Sequence, residues 1–115
     1  MVDTLNNFEF AILQKISNEY TFLKSHIQFL QVESRKATGV GMYVNFSYQK
    51  DSSGYKEIPS NFYALGSNSS LLMEGLTHEL SYEIAVTNGK IDFLEVVANC
   101  EDWDGTVRDF WFHQY

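Results

Sequence analysis

The feature that most constrains the fold is a predicted β-hairpin centred on Asn88 and Gly89. Both residues tolerate the positive φ angles of a two-residue hairpin turn, and apolar and polar residues alternate on either side of them. Folding about this turn pairs Val86 with Ile91, Ile84 with Phe93, Tyr82 with Glu95, and Leu80 with Val97 on the core face. The same register leaves Leu94 and Val96 on the other face, so either a β-bulge turns them inward or they form an apolar patch.

The N-terminal third has the periodicity of a helix instead. Apolar residues three or four apart form one stripe through residues 4–34, with Asp3 or Thr4 available as N-cap and Arg35 and Lys36 following the last turn. A break near Thr21 would divide this segment into two helices. The stripe consists of Phe8, Ile12, Ile16, Tyr20, Leu23, Ile27 and Leu30.

Extended segments follow the helical one. Residues 40–48 alternate strictly, residues 62–65 form a short apolar run, and an aromatic strand is predicted from Val107 to Tyr115. A helix followed by antiparallel strands favours an α+β class. We therefore predict a single domain, residues 1–115, with a long N-terminal helix (or two helices) packed on one face of a 4–5-stranded antiparallel sheet.

Negative charge is concentrated in one part of the chain. Residues 74–109 contain nine acids against Lys90 and Arg108, whereas acids and bases cancel elsewhere, so this stretch accounts for the whole net charge of −7. Such a field attracts basic partners and repels nucleic acid and anionic lipid. The composition therefore favours a basic protein partner over nucleic acid or a membrane.

No complete catalytic or metal-binding motif accompanies this charge. The three histidines lack metal-ligand spacing, and Cys100 precedes two acids that would suppress its thiolate. A calcium loop with Gly105 at its sixth position would put Cys100 and Trp111 where carboxylates are required. We expect no cofactor, no metal and no enzymatic activity. The alternative is a small enzyme or ligand-binding domain, whose pocket between helix and sheet would gather His78, Tyr82, Glu95 and His113.

The N-terminus lacks the basic start and apolar run of a signal peptide, and no window approaches the ~18 apolar residues of a membrane span. These observations predict a soluble, cytoplasmic protein.

The segment from Asn88 to Val96, followed by the acidic turn from Glu101 to Gly105, is similar to the C-terminal half of small bacterial α+β proteins. It also resembles the immunity proteins of polymorphic and contact-dependent growth-inhibition toxin systems. Such proteins are small, cytoplasmic and often acidic, and they block a cognate toxin that is commonly a basic nuclease. The resemblance covers about the last forty residues and implies an inhibitor of a basic toxin domain.

The predicted partner-binding surface is the outer face of the hairpin and the turn after it. Trp103 lies between acids, which suits an interface anchor, although a tryptophan folded back over the hairpin would fit the sequence equally well. A homodimer through Leu94 and Val96 is a further possibility. The predicted binding residues are Glu83, Asp92, Glu101, Asp102, Trp103 and Asp104.

Overall fold

The computed structural model describes residues 2–114, and most of its regular structure is β-sheet. Two helices precede the strands: α1 (Asn7–Glu19) and α2 (Lys24–Ile27), separated by a 3₁₀ turn (Thr21–Leu23). The strands are β1 (Leu30–Ala37), β2 (Gly41–Tyr48), β3 (Ala64–Leu65), β4 (Ser69–Met73), β5 (Leu80–Thr87), β6 (Lys90–Ala98) and β7 (Phe110–Gln114). All described pairings are antiparallel, in the order β1-β2-β6-β5-β4-β7, and β3 also pairs with β5.

The predicted long helix is wrong, and so is the 4–5-stranded sheet, because the described sheet has seven strands and the helices are short. Helix α1 ends at Glu19, and Tyr20 leaves helical geometry with φ −116° and ψ 79°. The segment predicted as the end of the helix is strand β1, in which Leu30 and Val32 are buried and pair with Tyr48 and Phe46. Their separation of two residues suits a strand, and tertiary pairing overrides the helical spacing of Leu30 with Ile27.

Helix α1 begins later than the sequence suggests. Asn6, and not Asp3 or Thr4, is the N-cap, and it forms a capping box with Glu9: the Glu9 amide donates to Asn6 Oδ1 at 2.8 Å, and the Asn6 amide donates to Glu9 Oε1 at 2.9 Å. These two reciprocal hydrogen bonds give partners to two backbone amides at the start of the helix that would otherwise lack them. The apolar side of the helix then buries Phe8, Ile12 and Ile16.

The predicted hairpin forms at Asn88 and Gly89, both of which have positive φ, but its register changes within β6. Val86 pairs with Ile91 as predicted, whereas Ala85 pairs with Phe93, so that Asp92 is an extra residue in β6. Beyond this bulge the predicted pairs are displaced by one residue: Ile84 faces Leu94, Tyr82 faces Val96, and Leu80 faces Ala98.

The bulge therefore turns Leu94 and Val96 into the core, where each is 0% exposed. A homodimer contact through these two residues is excluded by their burial.

The sheet has one covered and one uncovered face. Its core side carries Met42, Val44 and Ile84 together with Leu94 and Val96, all buried in one cluster with α1. The alternate residues of the same strands are half-buried or exposed, because neither helix formed by residues 2–114 packs on that side. We call this second side the open face.

None of the helices formed by residues 2–114 is long and apolar enough to cross a membrane.

Candidate partner-binding surface

The open face brings two carboxylates of neighbouring strands together. Glu83 of β5 lies directly opposite Glu95 of β6. The bulge creates this pair, because the register predicted from the sequence had placed Glu95 opposite Tyr82. Directly opposed residues have Cβ atoms about 4.5–5.5 Å apart, and like charges there are destabilising. Within residues 2–114, neither carboxylate forms an ion pair with a basic side chain.

Aromatic rings lie beside the carboxylate pair. Tyr43 of β2 is opposite Glu95, and its ring contacts that of Phe93 edge-on with centroids 5.6 Å apart. The Glu95 carboxylate accepts a hydrogen bond from the phenol and repels the phenolate, which raises the pKa of Tyr43. A shallow hollow of about 250 Å³ next to this pair is lined by Ser81, Tyr82, Glu83, Glu95 and Val97. We call Tyr43, Glu83, Phe93 and Glu95 the acidic–aromatic patch.

Asp92 lies at the turn end of the same hairpin. It is exposed, and its Oδ2 accepts a hydrogen bond of 2.9 Å from Thr87 Oγ1. Glu83 and Asp92 therefore lie on the hairpin surface that the sequence predicted, although Asp92 is the bulged residue and not the partner of Ala85.

Two acids of the turn after β6 hold loops in place. Glu101 accepts hydrogen bonds from the amides of Thr77 (3.0 Å) and His78 (2.6 Å), and these bonds lower its pKa. Asp104 accepts from the Thr106 amide at 2.9 Å, which likewise lowers the pKa of Asp104. Both carboxylates therefore stabilise loops of their own fold through hydrogen bonds to backbone amides. Asp102, between them, is exposed.

Trp103 is part of the core. It is 5% exposed, its indole Nε1 donates to the Thr106 carbonyl at 2.9 Å, and its ring lies 6.3 Å from that of Phe8. Its amide also donates to the Gly39 carbonyl, at 3.0 Å. The prediction of Trp103 as an interface anchor is therefore corrected, because its side chain packs within its own fold.

The pocket proposed in the alternative interpretation does not assemble. Tyr82 and Glu95 both line the hollow described above, but the Tyr82 hydroxyl donates to the Ser69 carbonyl at 2.7 Å on the covered face. His113 belongs to the outermost strand β7, and His78 lies in the loop before β5. Neither histidine lines the hollow that Tyr82 and Glu95 share, so the four residues do not form one pocket there.

A buried ion pair that the sequence analysis missed fixes the N-terminus to the sheet. Glu9 is fully buried, and both of its carboxylate oxygens accept hydrogen bonds from Arg35, at 2.6 and 2.9 Å. Arg35 also binds Asp3 at 2.9 Å and the Thr4 carbonyl at 3.0 Å. The sequence signal for this ion pair was the position of Glu9, an acid next to Phe8 on the apolar side of the predicted helix.

A buried histidine was missed as well. His26 is 0% exposed; its Nδ1 is 2.8 Å from the Tyr48 hydroxyl and its Nε2 is 2.7 Å from the Lys56 carbonyl. The carbonyl can only accept, so Nε2 carries the proton and Nδ1 accepts from Tyr48. Burial lowers the pKa of His26 and raises that of Tyr48 to about 12. This closed network has a structural role, since its polar atoms are all paired within the fold.

Among residues 2–114, no three His, Cys, Asp or Glu side chains are grouped so that they could hold a metal ion. No protein-family model matches the chain, and comparisons with curated proteins and with solved structures find no match.

Proposed function

We propose that this protein is a cytoplasmic inhibitor of the immunity-protein type, which binds a basic toxin domain through the acidic–aromatic patch. The observation that carries the proposal is the pairing of Glu83 with Glu95 beside Tyr43 and Phe93 on the open face. The resemblance of the C-terminal segment to immunity proteins points in the same direction. The enzyme or ligand-pocket alternative has less support, because His78 and His113 do not line the hollow that Tyr82 and Glu95 share.

The chemistry of the patch suits a lysine or arginine side chain. Two carboxylates that repel each other in the free protein gain favourable interactions when a cation lies between them, and the relief of repulsion adds to the attraction. Tyr43 and Phe93 supply aromatic surface, which interacts favourably with cations and contributes strongly to protein interfaces. The patch thus combines charge attraction with apolar contact.

The surrounding acids extend this surface. Asp92 lies at the turn end of the same hairpin, whereas Asp102, in the turn after β6, borders a separate hollow with Met73 and Arg108. Charges at the rim of an interface mainly raise the association rate. Rapid capture suits an inhibitor that must bind its target before the target acts.

A growth assay tests the proposal. The gene next to that of this protein is expected to encode a toxin whose C-terminal domain is basic, and expression of that domain is expected to arrest growth. Wild-type protein should restore growth, whereas the Glu83→Gln/Glu95→Gln variant should restore it poorly. The matched control is Glu33→Gln/Glu57→Gln, which removes the same charge outside the patch.

Rescue by the control but not by the patch variant would support the proposal. Equal rescue by both variants would place the binding surface elsewhere, and a neighbourhood of purely metabolic genes would contradict the toxin-inhibitor function.

A further inference from the structure

Strand β7 is an open edge of the sheet. It pairs with β4 on one side, and no strand formed by residues 2–114 pairs with its other side. The Glu74 amide donates to the Asp109 carbonyl at 2.8 Å, next to the Met73–Phe110 pair. Because hydrogen-bonded and non-hydrogen-bonded pairs alternate in an antiparallel ladder, Trp111 and His113 bond to β4.

The backbone groups of the remaining β7 residues, Phe110, Phe112 and Gln114, therefore point outward from the sheet. No hydrogen bond within residues 2–114 joins their amides to another part of the chain. An edge with regularly spaced free amides and carbonyls is a template for another strand.

The opposite edge of the sheet is protected. In β1, the amide and carbonyl of Val32 are bonded to Asp3, each at 2.8 Å, and a bulge at Glu33 interrupts the ladder. Arg35 and Lys36 add charge to the rest of this strand. Bulges and charged residues are the usual means of preventing edge-to-edge pairing. Strand β7 contains no bulge, proline, lysine or acid, and its Trp111 is 51% exposed.

We propose that two copies of this chain associate by antiparallel pairing of their β7 strands, with Phe112 on the two-fold axis. In this register Phe112 pairs with its symmetry mate, and Phe110 pairs with Gln114 of the second copy. These are the three residues whose backbone groups point outward, so the pairing satisfies all of them. On the open face, Trp111 of each copy then lies opposite His113 of the other.

Charge favours a second copy over a basic partner at this edge. Residues 110–114 contain no acid, so two copies can meet there without bringing carboxylates into direct contact. The remaining acids of the two −7 chains repel each other at longer range. Salt is therefore expected to strengthen the dimer, whereas it would weaken binding of a basic toxin domain. This difference separates the present inference from the proposed function.

Sedimentation equilibrium over a range of protein concentrations tests the association. The expected result is a rise from the monomer mass of 13.3 kDa to twice that value, at lower concentrations when salt is added. Hydrogen exchange read by NMR supplies the register: the amides of Phe110, Phe112 and Gln114 should become protected as the dimer forms. The amides of Trp111 and His113 should be protected at all concentrations, since they bond to β4.

Charge substitutions on the exposed side of β7 provide a second test. In a Trp111→Glu/His113→Glu variant, like charges oppose each other across the dyad, and the same is true of Trp111→Lys/His113→Lys. Each variant alone should be monomeric, and an equal mixture should form heterodimers. The lysine variant is the stringent control, because its lower net charge would by itself favour association.

Three results would overturn the inference: a wild-type monomer up to about 1 mM, the weak limit of specific association; dimers that persist in both variants; or protection of the β7 amides only when a different protein is added. Loss of the dimer in both variants and its return in the mixture would establish pairing through β7.

Discussion

Replacing Glu83 with Gln is expected to stabilise the fold while it weakens binding of the basic partner. In the free protein Glu83 lies opposite Glu95, without an ion pair to a basic side chain. Glu83 is the better position for this test because Glu95 also accepts from Tyr43, so that its replacement would remove a favourable contact.

The magnitude follows from the cross-strand geometry. Two unit charges about 6 Å apart in a water-like dielectric repel each other by about 0.7 kcal/mol, and measured cross-strand pairs contribute about 0.2–1 kcal/mol. We expect Glu83→Gln to raise the free energy of unfolding by about 0.5 kcal/mol. For a domain of this size, that gain corresponds to an increase in Tm of about 2–4 °C.

Thermal unfolding at low and high salt measures this effect. The gain should shrink in about 1 M salt, where the screening length is about 3 Å. Glu33→Gln is the matched control, because it removes one acid at a bulge and not opposite another carboxylate. A gain of equal size in the control, or a loss of stability in Glu83→Gln, would refute the opposed-carboxylate argument.

Three other predictions concern the buried groups. Glu9→Gln should lower the free energy of unfolding by about 2–3 kcal/mol in urea titrations, because it weakens a bidentate ion pair whose carboxylate is fully buried. The loss is limited because Arg35 keeps some solvent contact. A loss below about 1 kcal/mol would contradict a stabilising role for the Glu9–Arg35 pair. Trp103→Ala should cost about 3–5 kcal/mol, since it leaves a large cavity beside Phe8; a near-neutral result would mean that the indole is not part of the core. The lowered pKa of His26 predicts a loss of stability in acid. As the pH falls below about 6.5, His26 takes up a proton in the unfolded chain but not in the folded one, which favours unfolding. The loss stops growing once the pH reaches the lower pKa of His26 in the folded protein. Urea midpoints at pH 7.5 and 5.5 measure this loss, and a higher midpoint at pH 5.5 would contradict it.

The parts of the fold that the sequence predicted correctly depend on local chemistry. Asn88 and Gly89 form the hairpin turn because both adopt positive φ, with values of 52° and 76°. Strand β2 occupies Gly41–Tyr48, within the alternating segment. The aromatic C-terminal strand is shorter than predicted and spans Phe110–Gln114, while Tyr115 lies outside the described residues.

The errors concern long-range pairing. Residues 30–36 fit both a helical stripe and a strand, and their pairing with β2, which decides between the two, cannot be read locally. The bulge at Asp92 had been one of two alternatives for Leu94 and Val96, and burial of both residues in the core selected it. The same bulge created the Glu83–Glu95 pair. The acidic–aromatic patch was therefore predictable in its hairpin location and in Glu83, but not in Glu95 or Tyr43.

The central claim, that the open face binds a basic toxin domain, is tested most directly by NMR mapping of the complex with the domain encoded by the neighbouring gene. Our account predicts that the amide shifts and line broadening centre on Tyr43, Glu83, Phe93 and Glu95, while α1 on the covered face changes little. Changes centred on α1 or on the loop of residues 49–63, with the patch unaffected, would contradict the account.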